Sequence, residues 1–336
     1  MRDGFDFIHI GLPKCASTSL QILWGEDPSC TFASLGKVSS YAREITFSSG
    51  PDADTFPNVS LNIELGSGEN KIGSSEGLTW AFMDEPNLQY ALSAYHRTTA
   101  RLLGESKATD KILIVIRDPV DWIHSAHAQH IKTGGYYDVA SFLEENESFV
   151  SGVLDLSSII SAWSGYFENV VIIPVEYLKR DPERFWRRYE EGLGVSRPLG
   201  RGRSIKSINK TPWGSLQDLA SINKLMSRIQ QVYGELEEYR KLFPEEYEKL
   251  SYMMSRVRKW VPRRIAEYAP AGELSNLASG FSAQDSRSFN ALHLSSELSE
   301  HLLESYVEVM RKHLPDDWEL VEEYRSSVAR CSRDGI

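Results

Sequence analysis

The sequence has few cysteines, no long apolar run and no surplus of positive charge. Among 336 residues there are three cysteines, Cys15, Cys30 and Cys331. An odd number scattered over a chain of this length makes no disulfide framework and reads as a protein of a reducing compartment. No apolar stretch approaches the ~18–20 residues that a spanning helix needs. The opening MRDGFDFIHIGLPK is broken by Asp3, Asp6 and a Gly-Leu-Pro-Lys turn, unlike a secretory leader. The expectation is a soluble cytoplasmic protein with no membrane span. Lys and Arg number 37 against 47 Asp and Glu, a net charge of −10. That argues against wholesale binding of nucleic acid or anionic membrane, both of which need positive charge. Any anion site must be a local basic pocket on an acidic body. Gly-Lys-Ser/Thr occurs nowhere, so no standard phosphate loop is present. Clustered His/Cys metal spacing, internal repeats and low-complexity tracts are also missing.

What is present is an ordinary globular composition, 41% apolar and 25% charged. Phe5 to Ile10 reads as a short buried strand, followed by a tight loop and a helix opening at Ser17-Thr18-Ser19, with Leu20, Leu23 and Trp24 at helical spacing. Residues 25–75 read as loops with one short strand near Leu61–Leu65. Pro86 to Leu103 reads as a helix. Lys111 to Ile116, with five consecutive aliphatic residues, reads as a strand buried on both faces; a helix follows from about Pro119. Val170 to Val175 reads as another buried strand, and Pro182 to Leu193 as a helix closed by Gly194. This alternation predicts an α/β fold with a mostly parallel sheet flanked by helices. Residues 201–211 are basic. From Trp213 to Arg264 the pattern is helical, 269–290 reads as a loop, and Leu294–Leu314 and Asp317–Ala329 read as closing helices. The expected organisation is one domain over 1–336. It comprises an α/β core over 1–200, a helical insertion over 213–290 and C-terminal helices over 291–330.

Two clusters could carry chemistry. Gly11-Leu12-Pro13-Lys14-Cys15-Ala16-Ser17-Thr18-Ser19-Leu20 lies between strand and helix. Small residues permit close backbone approach, the helix start offers free N–H groups, and Lys14 adds a full charge, which together make an anion site. The plain alternative is a tight turn with a surface lysine. In the second cluster, Arg117 ends the strongest strand and Ser125 follows two helical turns later. Such a pair can clamp a second phosphate, unless Arg117 merely ties itself to Asp121.

Together the clusters resemble the sulfotransferase family that uses 3′-phosphoadenosine 5′-phosphosulfate (PAPS). Pro13 to Leu20 is similar to that family's 5′-phosphosulfate loop, usually P-K-x-G-T-T-x-L. Arg117 with Ser125 is similar to its 3′-phosphate motif. Val170 to Pro182, followed by Leu193-Gly194, is similar to its next strand, Y-E-x-L-x-x-D-P turn and helix end. Ala16 stands for the usual glycine and Ser17 for a threonine. Ser19 stands where the cytosolic small-molecule enzymes carry tryptophan, which points to the carbohydrate-type or bacterial branches. The implied fold is the phosphate-loop-like sulfotransferase fold with a C-terminal helical extension.

The resemblance implies sulfuryl transfer from PAPS to a hydroxyl or amine of a small-molecule or carbohydrate acceptor, with PAP as product and no metal. Lys14 and the loop N–H groups would hold the charge of the leaving phosphate, and Cys15, Ala16, Ser17, Thr18 and Ser19 would line the 5′ site. Arg117 and Ser125 would hold the 3′-phosphate, with Arg201 and Arg203 as further candidates. Glu76 is the first choice for the base; otherwise it is a solvated loop carboxylate. His96 is the second choice. Trp24 and Trp80 could stack on adenine or acceptor but read better as core. His127 and His130 could form a metal pair but have no third ligand. The basic stretch 255–264 could attract an anionic acceptor or be a solvated face. The 213–290 helices would cover the acceptor site or form a dimer contact. A nucleoside- or metabolite-kinase-like phosphotransferase, or a catalytically silent nucleotide-binding protein, are the alternative readings.

Overall fold

The computed structural model describes residues 4–49, 70–79, 92–198, 216–234, 237–253, 256 and 289–332. Several expectations therefore lie outside the described residues: the strand near 61–65, Trp80, the start of the helix from Pro86, the basic stretch 201–211 with Arg201 and Arg203, most of 255–264 and all but the last two residues of the loop 269–290.

Five parallel strands form one sheet in the order β2-β3-β1-β4-β5. The strands are β1 (Phe7–His9), β2 (Cys30–Ser34), β3 (Asn70–Ser74), β4 (Lys111–Ile116) and β5 (Asn169–Pro174). The helices are α1 (Ser17–Glu26), α2 (Gly36–Ser49), α3 (Leu92–Glu105), α4 (Pro119–Lys132), α5 (Val139–Leu154), α6 (Leu156–Ser164), the short α7 (Tyr177–Arg180), α8 (Pro182–Leu193), α9 (Leu216–Gly234), α10 (Glu237–Leu242), α11 (Ser296–Leu302), α12 (Glu308–His313) and α13 (Trp318–Cys331). A π turn, Leu303–Val307, joins α11 to α12. The architecture is the expected parallel α/β sheet flanked by helices.

The chain divides into two compact units. One comprises Met1–Trp122, Glu147–Ile208 and Leu294–Ile336; the other comprises Ile123–Asn146 and Asn209–His293. The first holds the sheet. All of Ile112 to Ile116 are fully buried, as the aliphatic run requires when helices cover both faces. Phe7 of β1 meets Trp24 of α1 and Tyr189 of α8 edge-on, so these two helices share one face of the sheet. Asp181 caps α8 by accepting the Arg184 N–H at 3.1 Å, and Pro182 opens that helix. Gly194 closes it with φ 67°, a conformation glycine adopts without steric penalty. In the second unit Ile131, Leu219, Ala220, Ile222 and Phe289 form an apolar cluster. Asn223 of α9 donates to the carbonyls of Ile131 and Gly135 at 2.7 and 2.6 Å.

Residues 25–75 differ from expectation. The described part holds β2, α2 and β3 rather than loops. β3 reads Asn-Lys-Ile-Gly-Ser and owes its extended form to ladders with β1 and β2, so tertiary pairing overrides weak local preference. α2 did carry a local signal, because Val38, Ala42 and Ile45 are buried at helical spacing. Two further helices, α5 and α6, fill 139–164, where the sequence reading placed no element.

Candidate functional site

The strand order puts a topological switch at β1. The chain leaves β1 toward β2 and β3 on one side, then crosses to β4 and β5 on the other. In open parallel sheets, ligands gather at the carboxyl ends of the strands flanking such a switch. Three adjacent tips there carry sequence-predicted residues: the loop Gly11–Ala16 after β1, Glu76 after β3 and Arg117 after β4.

The loop is held from several directions. Thr79 donates to the Gly11 carbonyl at 2.8 Å, and Trp122 Nε1 donates to the Pro13 carbonyl at 2.7 Å. A Cβ at Gly11 would lie 2.3 Å from Ser17 Oγ and 2.5 Å from His9 Cε1. The glycine therefore makes room for protein side chains packed against it. Lys14 and Ala16 both take positive φ, 66° and 63°. Left-handed residues in such a turn bend successive N–H groups toward one concave side, an anion-binding arrangement. Ala16 is also the N-cap of α1 and supplies no side-chain hydrogen bond to it. The positive end of the helix thus has no capping side chain from Ala16 to answer its first N–H groups.

The hydroxyls divide. Ser17 is buried and donates back to the Leu12 carbonyl at 3.3 Å; Thr18 is exposed and donates to Glu76 Oε1 at 3.1 Å. Cys15 is fully buried, and burial, with Glu176 adding to it, pushes its thiol well above the usual range. It anchors the loop and is no nucleophile.

Arg117 joins the second cluster to the first. Its Nη1 donates to the Lys14 carbonyl at 3.4 Å, while Nη2 lies 3.5 Å from Asp121 Oδ2. The tie to Asp121 is present, then, but so is the link to the loop. Ser125 lies half-buried on α4, eight residues beyond Arg117.

Behind Arg117 stands a cluster the sequence reading did not single out. Glu176, after β5, accepts the Asp118 N–H at 3.1 Å and the Tyr324 hydroxyl. Ser327 donates to Asp118 Oδ2 at 2.6 Å. Burial raises the pKa values of Glu176 and Asp118, and the hydrogen bonds from Tyr324 and Ser327 oppose the rise.

The histidines are placed elsewhere. His96, the second choice for the base, is 2% exposed on α3, and neither ring nitrogen has a hydrogen-bond partner. Burial lowers its pKa to about 4, opposed by the charge of Asp155 at the start of α6. No ring hydrogen bond joins it to the loop, Glu76 or Arg117; the apolar spacing of α3 turns it into the core. His9 lies under the loop with Nδ1 2.8 Å from Ser74 Oγ, and burial lowers its pKa to about 3. Trp24 packs between Phe7 and His9 as a core residue. His127 is buried with Nε2 2.9 Å from the Tyr137 carbonyl. Among the described residues no group of three or more His, Cys, Asp or Glu could hold a metal, and no helix is long and apolar enough to cross a membrane.

No protein-family model matches the chain, and no curated protein does. A solved structure described as a sulfotransferase from Alicyclobacillus acidocaldarius is similar at 18% identity and a TM-score of 0.40. The match covers 70% of this chain and 94% of that one.

Proposed function

We propose that the chain is a sulfotransferase that moves a sulfuryl group from PAPS to a hydroxyl or amine acceptor. The observation that carries this reading is the convergence of three neighbouring strand tips on one loop. Arg117 donates to the Lys14 carbonyl and Thr18 donates to Glu76, so Arg117 and Glu76 are both tied to the β1–α1 segment that carries Lys14. The positive-φ turn and the start of α1 suit a 5′-phosphosulfate, and the planar guanidinium suits a ribose 3′-phosphate. Ser125 keeps the role its spacing suggests, two turns along the helix that Pro119 opens.

The reaction balances simply. The acceptor oxygen or nitrogen forms a bond to sulfur as the bond from sulfur to the bridging phosphate oxygen breaks. That oxygen leaves on PAP with an added negative charge. Lys14 and the N–H groups at Ser17 and Thr18 hold this charge as it develops; removing one preorganised donor of this kind costs ~10²–10³ in kcat. Glu76 takes the acceptor proton, and its hydrogen bond from Thr18 links it to the same loop. Arg117 contributes position. The acceptor is a small molecule or carbohydrate.

Calorimetry with adenosine 3′,5′-bisphosphate, with and without Mg²⁺, followed by turnover of PAPS over an acceptor panel, tests the reading. Metal-independent binding with transfer is expected. Lys14→Ala should weaken nucleotide affinity and lower kcat by ~10²-fold. Binding that needs Mg²⁺ would favour a kinase-like phosphotransferase, and metal-independent binding without transfer a silent nucleotide-binding protein. An unchanged Lys14→Ala chain would remove the basis of the proposal.

A further inference from the structure

Tyr306 holds the backbone of Arg117 at both its N–H and its carbonyl. Its phenol oxygen accepts the Arg117 N–H at 3.2 Å and donates to the Arg117 carbonyl at 2.6 Å, from a ring 1% exposed. The β4–β5 ladder ends one residue earlier, with Ile116 opposite Pro174. Arg117 therefore lies where strand pairing stops and its backbone polar groups need other partners. One phenol supplies both.

The Asp118 N–H, across the same peptide from the Arg117 carbonyl, is held as firmly. Glu176 accepts the Asp118 N–H, Tyr324 donates to the other Glu176 oxygen, and Ser327 donates to the Asp118 carboxylate. Tyr306, Tyr324 and Ser327 all come from the C-terminal helices, and the proposed chemistry uses none of them. Tyr306 also sits within the π turn Leu303–Val307, which interrupts an otherwise continuous helix from Ser296 to His313. Such turns are rare and occur mostly where a helix serves a functional site.

We propose that Tyr306, backed by Glu176 and Tyr324, is a positioning residue that aims the Arg117 guanidinium at a ribose 3′-phosphate. The inference rests on the nucleotide reading above. A guanidinium binds phosphate well only when its planar fork meets the oxygens bidentately. Its long side chain cannot keep that aim if the backbone that carries it wanders.

The test compares two nucleotides on the full chain: adenosine 3′,5′-bisphosphate and adenosine 5′-monophosphate, each titrated calorimetrically. Tyr306→Phe should weaken bisphosphate binding five- to twentyfold and leave monophosphate binding within twofold. In an Arg117→Ala background the same change should add nothing. Tyr324→Phe removes only the backing hydrogen bond to Glu176. It should show the same selectivity at two- to fivefold, and it keeps the test open if Tyr306→Phe folds poorly. Equal losses for both nucleotides, or no loss in either variant, would overturn the positioning role. A wild-type chain with no preference for the bisphosphate would instead overturn the nucleotide reading itself, and the inference with it.

Discussion

Glu76 and Glu176 stand at strand tips on opposite sides of the same loop, and their surroundings give their carboxylates different partners. Glu76 follows β3, on a short 3₁₀ turn capped by Ser75, and its contact with the loop is the hydroxyl of the exposed Thr18. Glu176 follows β5, with one oxygen on the Asp118 N–H and the other on the Tyr324 hydroxyl, and burial raises its pKa. A carboxylate with both oxygens committed to protein donors has little capacity left for a substrate proton. Under the proposed function the β3 side of the loop meets the ligand, while the β5 side holds the strand tips still.

The largest effect should come from the β3 side. Glu76→Gln keeps the size and can still accept from Thr18, but it cannot take a proton. Turnover should fall by ~10²–10⁴, the usual contribution of a general base, with bisphosphate affinity within about twofold of wild type by calorimetry. Steady-state transfer that survives Glu76→Gln would move the base elsewhere and erase the functional half of the contrast.

Glu176 should respond in stability rather than chemistry. Its folded pKa lies above the ordinary 4.5, so between 4.5 and the folded value the native state binds more protons than the unfolded one. Stability from this group is fully present below 4.5 and declines as pH rises through the folded pKa. Glu176→Gln should remove that decline. The wild-type-minus-variant difference in unfolding free energy should therefore fall as pH rises above 4.5. Denaturant melts at several pH values would show it. His9 and His96, lowered to about 3 and about 4, act with the opposite sign, and they cancel because both chains contain them. A pH-independent difference would mean that the Glu176 carboxyl is as well solvated folded as unfolded.

The contrast also explains what could be read in the sequence. β4 and α8 declare themselves locally, the first by five aliphatic residues in a row, the second by Asp181, Pro182 and Gly194 at cap positions. The loop at 11–16 and Arg117 could be picked out because each sits where a strong strand ends. β2 and β3 could not, since their short polar sequences are extended only when paired. The hydroxyl of Ser17 could not be told from that of Thr18 before the loop's fold turned one inward and the other outward. Tyr306 was the least legible of all. It stands 189 residues from Arg117 in sequence, and nothing in its own helix distinguishes it from a core tyrosine until the fold brings the β4 tip to it.

The smallest effect concerns the loop between the two glutamates, and it comes from a pair of left-handed residues. Ala16 takes φ 63° and Gly194, closing α8, takes φ 67°. A residue with a Cβ is strained there by ~1–2 kcal/mol, whereas glycine is not but loses ~0.5–1 kcal/mol more chain entropy on folding. Ala16→Gly should therefore raise stability slightly, by ~0.5–1 kcal/mol, the difference between the two ranges taken end by end. Gly194→Ala should lower it by a comparable amount, since its new Cβ would meet the Lys111 ammonium at 3.2 Å, a flexible group able to move. Urea midpoints at unchanged slope would read both. If Ala16→Gly lowers stability instead, chain entropy outweighs the strain at Ala16, and the turn is held in its shape by its hydrogen bonds to Thr79 and Trp122 at little steric cost.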